Sequence, residues 1–236
     1  MKITILTGHD FNTYAIALAK KLKAANFEFA VIVCTDLKDI KQGIVDKIKR
    51  RNALKYIGSH ITGSLTRLSK KLGFRVYFSG NVNSGRTLGI LKEIAPDIAV
   101  LAGVGIIRKE TLSVFRIGVL NAHMALLPKY RGMNVLEWSL FNNDPIGITV
   151  HFIDEGVDTG DIMLKKSIPI EKGDTINSLR IKAGIISEDL VLETLCKIRD
   201  NSFDRVKQDR KDGKQYFIMH PRLREIAERK LRNRQS

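Results

Sequence analysis

Apolar residues recur along this chain in two rhythms, unbroken short runs and stripes spaced by three and four. Lys2–Thr7 and residues 27–34, the second apolar except for Glu28, read as buried strands. Between them, after a Gly8-His9-Asp10 turn, Tyr14, Leu18, Leu22 and Ala25 mark one face of a helix over residues 12–25. A strand–helix–strand order predicts a parallel sheet with right-handed crossovers. Further strands are expected at residues 75–78, 98–101, 118–121, 146–153 and 163–170. Helices are expected at Gly85–Ile94 and around Val135, Trp138 and Phe141. A longer one follows the Gly173-Asp174-Thr175 cap, with Ile176, Leu179, Ala183, Ile186 and Leu190 facing the sheet. Residues 37–73 are basic and read as helical, with Ile57, Ile61, Leu65 and Leu68 in register and interruptions near Gly58 and Gly63. From residue 201 the composition changes to a charged turn at 209–214, a short strand at 215–219 and a basic helix at 221–234. The pattern predicts an α/β fold with a mainly parallel sheet flanked by helices over residues 1–200, plus a short basic extension over 201–236.

Composition narrows the class. A chain of 236 residues suits one core plus an extension, and 44% hydrophobic with 28% charged residues is ordinary for a soluble protein. No apolar run approaches the ~20 residues that cross a bilayer, and the first residues enter a strand directly, so the expectation is a cytoplasmic protein without membrane association. Cys34 and Cys196 are far apart and in no ligand spacing, which argues against disulfide or metal chemistry. The net charge of +15 is carried entirely by two segments, residues 38–75 at +9 and 204–236 at +6. Such flanks attract an anionic small molecule or nucleic acid; a solvated surface explains them equally well. The extension could also serve as an oligomerisation arm.

Candidate chemistry concentrates in residues 119–162. Asn121 and His123 stand two apart at the end of a strand and therefore point the same way. A second strand then exits into Asp154-Glu155-Gly156-Val157-Asp158-Thr159-Gly160, a loop rich in carboxylates and glycine, and Asp158 can meet His123. A carboxamide, an imidazole and an acid suit acyl transfer: a donor for an oxyanion, a proton carrier, and a group that orients it. A carboxylate neighbour is expected to make His123 more basic. His151, alone on a strand, is left outside the catalytic set, and Tyr130 and Arg131 are read as loop-shaping residues.

The blocks Asn121-Ala122-His123, Leu126-Leu127-Pro128-Lys129-Tyr130-Arg131-Gly132, Gly147-Ile148-Thr149-Val150-His151 and Asp158-Thr159-Gly160-Asp161-Ile162 resemble the catalytic region of the folate-dependent formyltransferases. The resemblance is strong over about residues 96–165. It implies a Rossmann-like formyltransferase fold and 10-formyltetrahydrofolate as co-substrate without a metal. It assigns catalysis to Asn121, His123 and Asp158. Backbone groups at Ile106, Ile107 and Arg108, with Asp154 and Gly156, are implied in folate binding; adjacent isoleucines are otherwise more often core. Met124-Ala125 stand where the family usually has Pro then Ser, and Val135 where many members have Pro. Gly8-His9-Asp10-Phe11-Asn12 lacks the phosphate loop of the purine-pathway transformylase, and the extension is shorter than the domain that methionyl-tRNA formyltransferases append. By elimination an amino sugar nucleotide is the expected acceptor. Methionyl-tRNA formylation, hydrolysis of 10-formyltetrahydrofolate, and nucleic-acid binding through the basic flanks are the alternatives.

Overall fold

The computed structural model describes residues 1–35 and 64–235, in two compact units, Met1–Val119 and Leu120–Ser236. The expected boundary at 200/201 falls inside the second unit. Most of the expected basic helix over 37–73, with Ile57 and Ile61, lies outside the described residues.

In the first unit, β1 (Lys2–Thr7) leads through α1 (Thr13–Ala24) to β2 (Glu28–Cys34). After α2 (Leu65–Leu72) come β3 (Arg75–Ser79), α3 (Gly85–Ile94), β4 (Ile98–Ala102) and the short α4 (Lys109–Leu112). β1 pairs in parallel with β2 on one side and β4 on the other, and β2 carries β3, also parallel. Parallel pairing with helical crossovers covers both faces, which is why these strands read as continuous apolar runs. Ile3, Ile5, Leu6, Leu18, Leu22, Ile32, Leu91 and Ile98 are completely buried, each worth roughly 1.5–3 kcal/mol of hydrophobic burial. The helix starts follow side-chain chemistry. Asn12 accepts from the Ala15 amide and donates its Nδ2 to the Ala102 carbonyl at 2.7 Å, tying α1 to the end of β4. Ser64 and Ser84 cap α2 and α3 in the same manner.

The second unit is antiparallel at its centre. β5 (Gly118–His123) pairs with β7 (Gly147–Phe152), and β7 with β8 (Ile162–Ser167). β5 runs two residues beyond the expected 118–121, so Asn121 and His123 both lie within it. β8 stops at Ser167 where the sequence predicted 163–170; Pro169 has no N–H for the ladder. Between β5 and β7 come β6 (Tyr130–Gly132) and α5 (Val135–Phe141). α6 (Ile176–Arg199) packs on β7 and β8, buries Leu179, Ala183, Leu190 and Leu195, and begins in a reciprocal Thr175–Ser178 capping box.

The C-terminal residues are built into this unit. Val206 bridges Ile162, Arg210–Asp212 make a 3-10 turn, and β9 (Lys214–Tyr216) pairs in parallel with β6. α7 (Pro221–Asn233) packs on α5. Buried Glu137 of α5 receives a bidentate pair from Arg180 of α6, at 2.7 and 2.9 Å, and Arg224 of α7 lies 3.9 Å away. The single tryptophan, Trp138, donates its indole N–H to the Phe217 carbonyl at 2.9 Å.

Candidate active site

Register brings four polar groups together at the end of β5 and β7. Asn121 is directly opposite His151, and His123 opposite Thr149. Facing residues of an antiparallel pair share a side of the sheet. A bulge between Val150 and His151, where β7 also meets β8, fixes where His151 points. Thr149 is buried and braces the turn after His123: its hydroxyl donates to the Ala125 carbonyl at 2.7 Å and accepts from the Leu127 amide at 3.0 Å. The turn contains a cis Leu127–Pro128 bond and returns as β6.

The third wall is the loop after β7. Asp154 accepts from the Gly156 amide at 3.0 Å and the Thr159 hydroxyl at 2.6 Å, so this expected folate residue braces the loop from within. Gly160 has no room for a side chain, since a Cβ there would strike the Phe152 carbonyl. Asp158 itself adopts the left-handed conformation at φ 52°. Asp is among the few residues that visit this region, but doing so still stores strain of order 1–3 kcal/mol.

The resulting distances define a proton-handling cluster. Nδ1 of His123 lies 3.4 Å from one Asp158 oxygen and Nε2 of His151 lies 3.5 Å from the other. The first of those oxygens also accepts the Gly132 amide at 2.8 Å. Nε2 of His123 is 2.8 Å from the Tyr130 carbonyl, and Nδ1 of His151 is 2.7 Å from the Phe152 carbonyl. A carbonyl only accepts, so each of these ring nitrogens carries the proton. In the neutral rings the other nitrogens, which face Asp158, are then bare. The bare Nε2 of His151 can accept the Asn121 amide N–H at 3.3 Å, leaving the second amide hydrogen of Asn121 for a ligand.

Electrostatics correct one expectation. Burial lowers the His123 pKa, and the Asp158 charge, which favours protonation, does not overcome it. The ring is neutral near pH 7, where the sequence alone had suggested a more basic histidine. For Asp158, burial acts to raise the pKa, but the His151 and His123 rings and the Gly132 amide outweigh it and the carboxyl is held below its ordinary value. An ionised acid facing the unprotonated Nδ1 of His123 is an arrangement ready to take up a proton.

Asn121, His123 and Asp158 therefore come together as the spacing predicted, and His151, which sequence reading set aside, joins them. Its signal was its place opposite Asn121 across the predicted β5 and β7 strands. Arg131 is buried and donates to the Asp209 carbonyl at 3.0 Å, in keeping with a loop-shaping role. Tyr130 donates its hydroxyl to Asp144, and burial together with that hydrogen bond pushes its pKa well above the ordinary phenol value. In the first unit, Ile106 is 84% exposed and Ile107 is buried. Asn83 binds both the Ile106 carbonyl and the Arg108 amide at 2.8 Å, and the Arg108 carbonyl starts α4. The Ile106 amide and both backbone groups of Ile107 have no hydrogen-bond partner among the described residues. No group of three His, Cys, Asp or Glu side chains among the described residues is placed to hold a metal, and no described helix is long and apolar enough to cross a membrane.

Known proteins with this pattern are formyl-transfer enzymes. A profile described as formyl transferase matches residues 1–192. The methionyl-tRNA formyltransferase of Thermodesulfovibrio yellowstonii is 40% identical over 111 residues, 46% of this chain and 36% of that enzyme. The chain covers less than two thirds of the length of such curated relatives. An N-formyltransferase from Helicobacter canadensis, solved with folinic acid and dTDP-3-aminofucose, superposes with a TM-score of 0.67 at 20% identity, over 98% of this chain and 80% of that one. Phosphoribosylglycinamide formyltransferase from Bacillus halodurans gives a TM-score of 0.62 at 23% identity, over 84% of this chain and 95% of its own. At these identities the structural likeness is one of fold.

Proposed function

Because the chain belongs to the formyl transferase family, we propose that it moves the formyl group of 10-formyltetrahydrofolate onto a primary amine, through Asn121, His123 and Asp158. The observation that carries this reading is the convergence of one amide donor, neutral His123 and ionised Asp158 within 3.5 Å contacts at one strand end.

The chemistry follows from those groups. The amine nitrogen attacks the formyl carbon, forming the new C–N bond while the carbonyl oxygen becomes an oxyanion. Asn121 donates its remaining amide hydrogen to that oxygen, a contact whose loss typically costs ~2.7–4 kcal/mol of barrier. The amine proton passes to the bare Nδ1 of His123, where Asp158 stabilises the resulting imidazolium. Collapse expels the folate nitrogen, which takes up a proton, giving tetrahydrofolate and a formamide. A neutral resting His123 fits the relay role better than a permanently cationic one.

Folate is assigned to the Ile106, Ile107 and Arg108 loop and to the Asp154–Gly156 turn by resemblance. The unpartnered Ile106 amide and Ile107 backbone groups suit a hydrogen-bonding ring edge, whereas both Arg108 backbone groups are already engaged. For the acceptor we favour an amino sugar carried on a nucleotide. The basic balance of the chain suits an anionic acceptor, and the Helicobacter canadensis enzyme was solved with such a compound. The 40% identity to a methionyl-tRNA formyltransferase supports methionyl-tRNA as the second reading.

Incubation with 10-formyltetrahydrofolate and a panel of amino sugar nucleotides, with methionyl-tRNA and glycinamide ribonucleotide alongside, is expected to release tetrahydrofolate and yield one formylated sugar. Formylation confined to the tRNA would establish the second reading. Tetrahydrofolate release with no formamide from any acceptor would identify a hydrolase and reject transfer.

A further inference from the structure

The family match ends at residue 192, yet the segment beyond it reaches the candidate site. Gln208 donates its carboxamide Nε2 to two carbonyls of the catalytic loop, Asp158 at 3.1 Å and Gly160 at 2.6 Å. Asp158 is itself the left-handed residue of this loop, and Gly160 follows two positions later. Upstream of Gln208, Val206 and Ile162 exchange backbone bonds at 2.8 and 2.9 Å at the far end of the same loop. Downstream, Asp209 accepts from Arg131, and β9 runs along β6, where Met133 donates to the Tyr216 carbonyl at 2.9 Å. Gly132, at φ +94°, lies so close to Tyr216 that a Cβ would collide with its carbonyl. That same Gly132 gives its N–H to the Asp158 carboxylate. One stretch, residues 206–216, therefore grips both the loop that carries Asp158 and the strand that hydrogen-bonds it.

We propose that Gln208 is a positioning residue for the transfer reaction, and that the segment 206–216 is a strap that sets the Asp158 carboxylate against His123. Two features make Gln208 the critical contact. A left-handed aspartate is inherently strained and needs the surrounding structure to hold it. Two carbonyls converging on one point need a donor with two hydrogens, which a glutamine amide supplies and a hydrocarbon or carboxylate of the same shape does not. When the clamp is lost, the carboxylate leaves its place beside the Gly132 amide and the two imidazoles. A displacement of about 1 Å from such geometry commonly costs on the order of 10²-fold in rate.

This proposal rests on the formyl-transfer reading, so its test has one arm that needs no turnover. Gln208→Met keeps the shape and removes both donors, whereas Gln208→Lys keeps N–H donors at similar reach. With Gln208→Met, kcat is expected to fall roughly 10- to 100-fold while KM for folate stays within about twofold. Gln208→Lys should recover most of that loss. The acid limb of the rate profile should move to higher pH in the Met variant, because Asp158, faced by His123 from β5 and His151 from β7, loses the Gly132 amide. The independent arm follows the Asp158 carboxyl and the Gly132 amide by NMR titration, where both signals should move in the Met variant and return in the Lys variant. Unchanged titration, or a Met variant that performs as well as the Lys variant, would overturn the clamp. Absence of turnover in the wild-type protein would instead reject formyl transfer and leave the titration to decide on Gln208.

Discussion

The two units of this chain bury different chemistry. Among described residues of the first, the fully buried polar side chains are the hydroxyls of Thr4, Thr7, Thr87 and Thr111, beside the thiol of Cys34. The second buries His123, Arg131, Glu137, His151 and Asp174. Ionisable groups away from water destabilise a fold unless each is paired, and here each has a partner: Tyr130, Asp209, Arg180, Phe152 or Lys182. One unit is optimised as a scaffold, whereas the other accepts the burden of holding reactive groups in a dry setting.

That contrast can be broken by exchanging the two kinds of damage. Asn121→Ala should lower kcat by about 10²–10³ and move the thermal midpoint little, whereas Ile5→Ala, at a completely buried site, should cost roughly 2–5 kcal/mol of stability and spare turnover per folded molecule. Paired kinetics and chemical denaturation decide it; a stability loss without a rate loss at Asn121 would erase the distinction.

Acid should act on the second unit in two stages. His123 is held below its ordinary 6.5 by burial, so the unfolded chain takes up a proton more readily and stability falls as pH drops below about 6.5. Asp158, also held low, contributes stability that is present above about 3.8 and lost as pH falls through its lower folded value. Urea midpoints measured from about pH 7.5 to 5.0 should decline, and less steeply in His123→Gln. Equal slopes would show that His123 is not the group responsible.

The smallest effect concerns Cys34. Burial pushes its thiol up to about 12 against a weaker opposing contact from Thr87, and the thiolate is the reactive form. Native protein at about pH 8 should leave Cys34 unlabelled by a thiol reagent until denaturant is added. Rapid native labelling would show that the first unit opens more readily than its packing indicates.

Much of the first unit was legible because parallel strands covered on both faces are written as apolar runs, and Asn12, Ser64 and Ser84 stand before α1, α2 and α3, whereas the short α4 follows Arg108 with no side-chain cap. Asn121, His123 and Asp158 were legible because the two-residue strand period and an acidic turn are local signals. His151 was harder to see: a histidine inside an apolar strand looks structural until the strand opposite is known. The direction of the His123 shift was misjudged because sequence shows the neighbouring carboxylate but not the depth of burial. Gln208 left no local signal at all, since its two partners lie 50 and 48 residues earlier. Pro169 shows the reverse case, a local rule that ends β8 and was overlooked within an apolar stretch.

The parallel pairing of β6 with β9 joins Tyr130 to Lys214, a separation that matters during synthesis. Contacts so distant along the backbone close late, so a nascent chain displaying every residue through Arg199 still awaits the partner for β6. Until Tyr216 has cleared the ribosome, the chain would be an assembled frame whose β6 has no partner strand and whose Gly132, the donor to Asp158, is not yet locked in place.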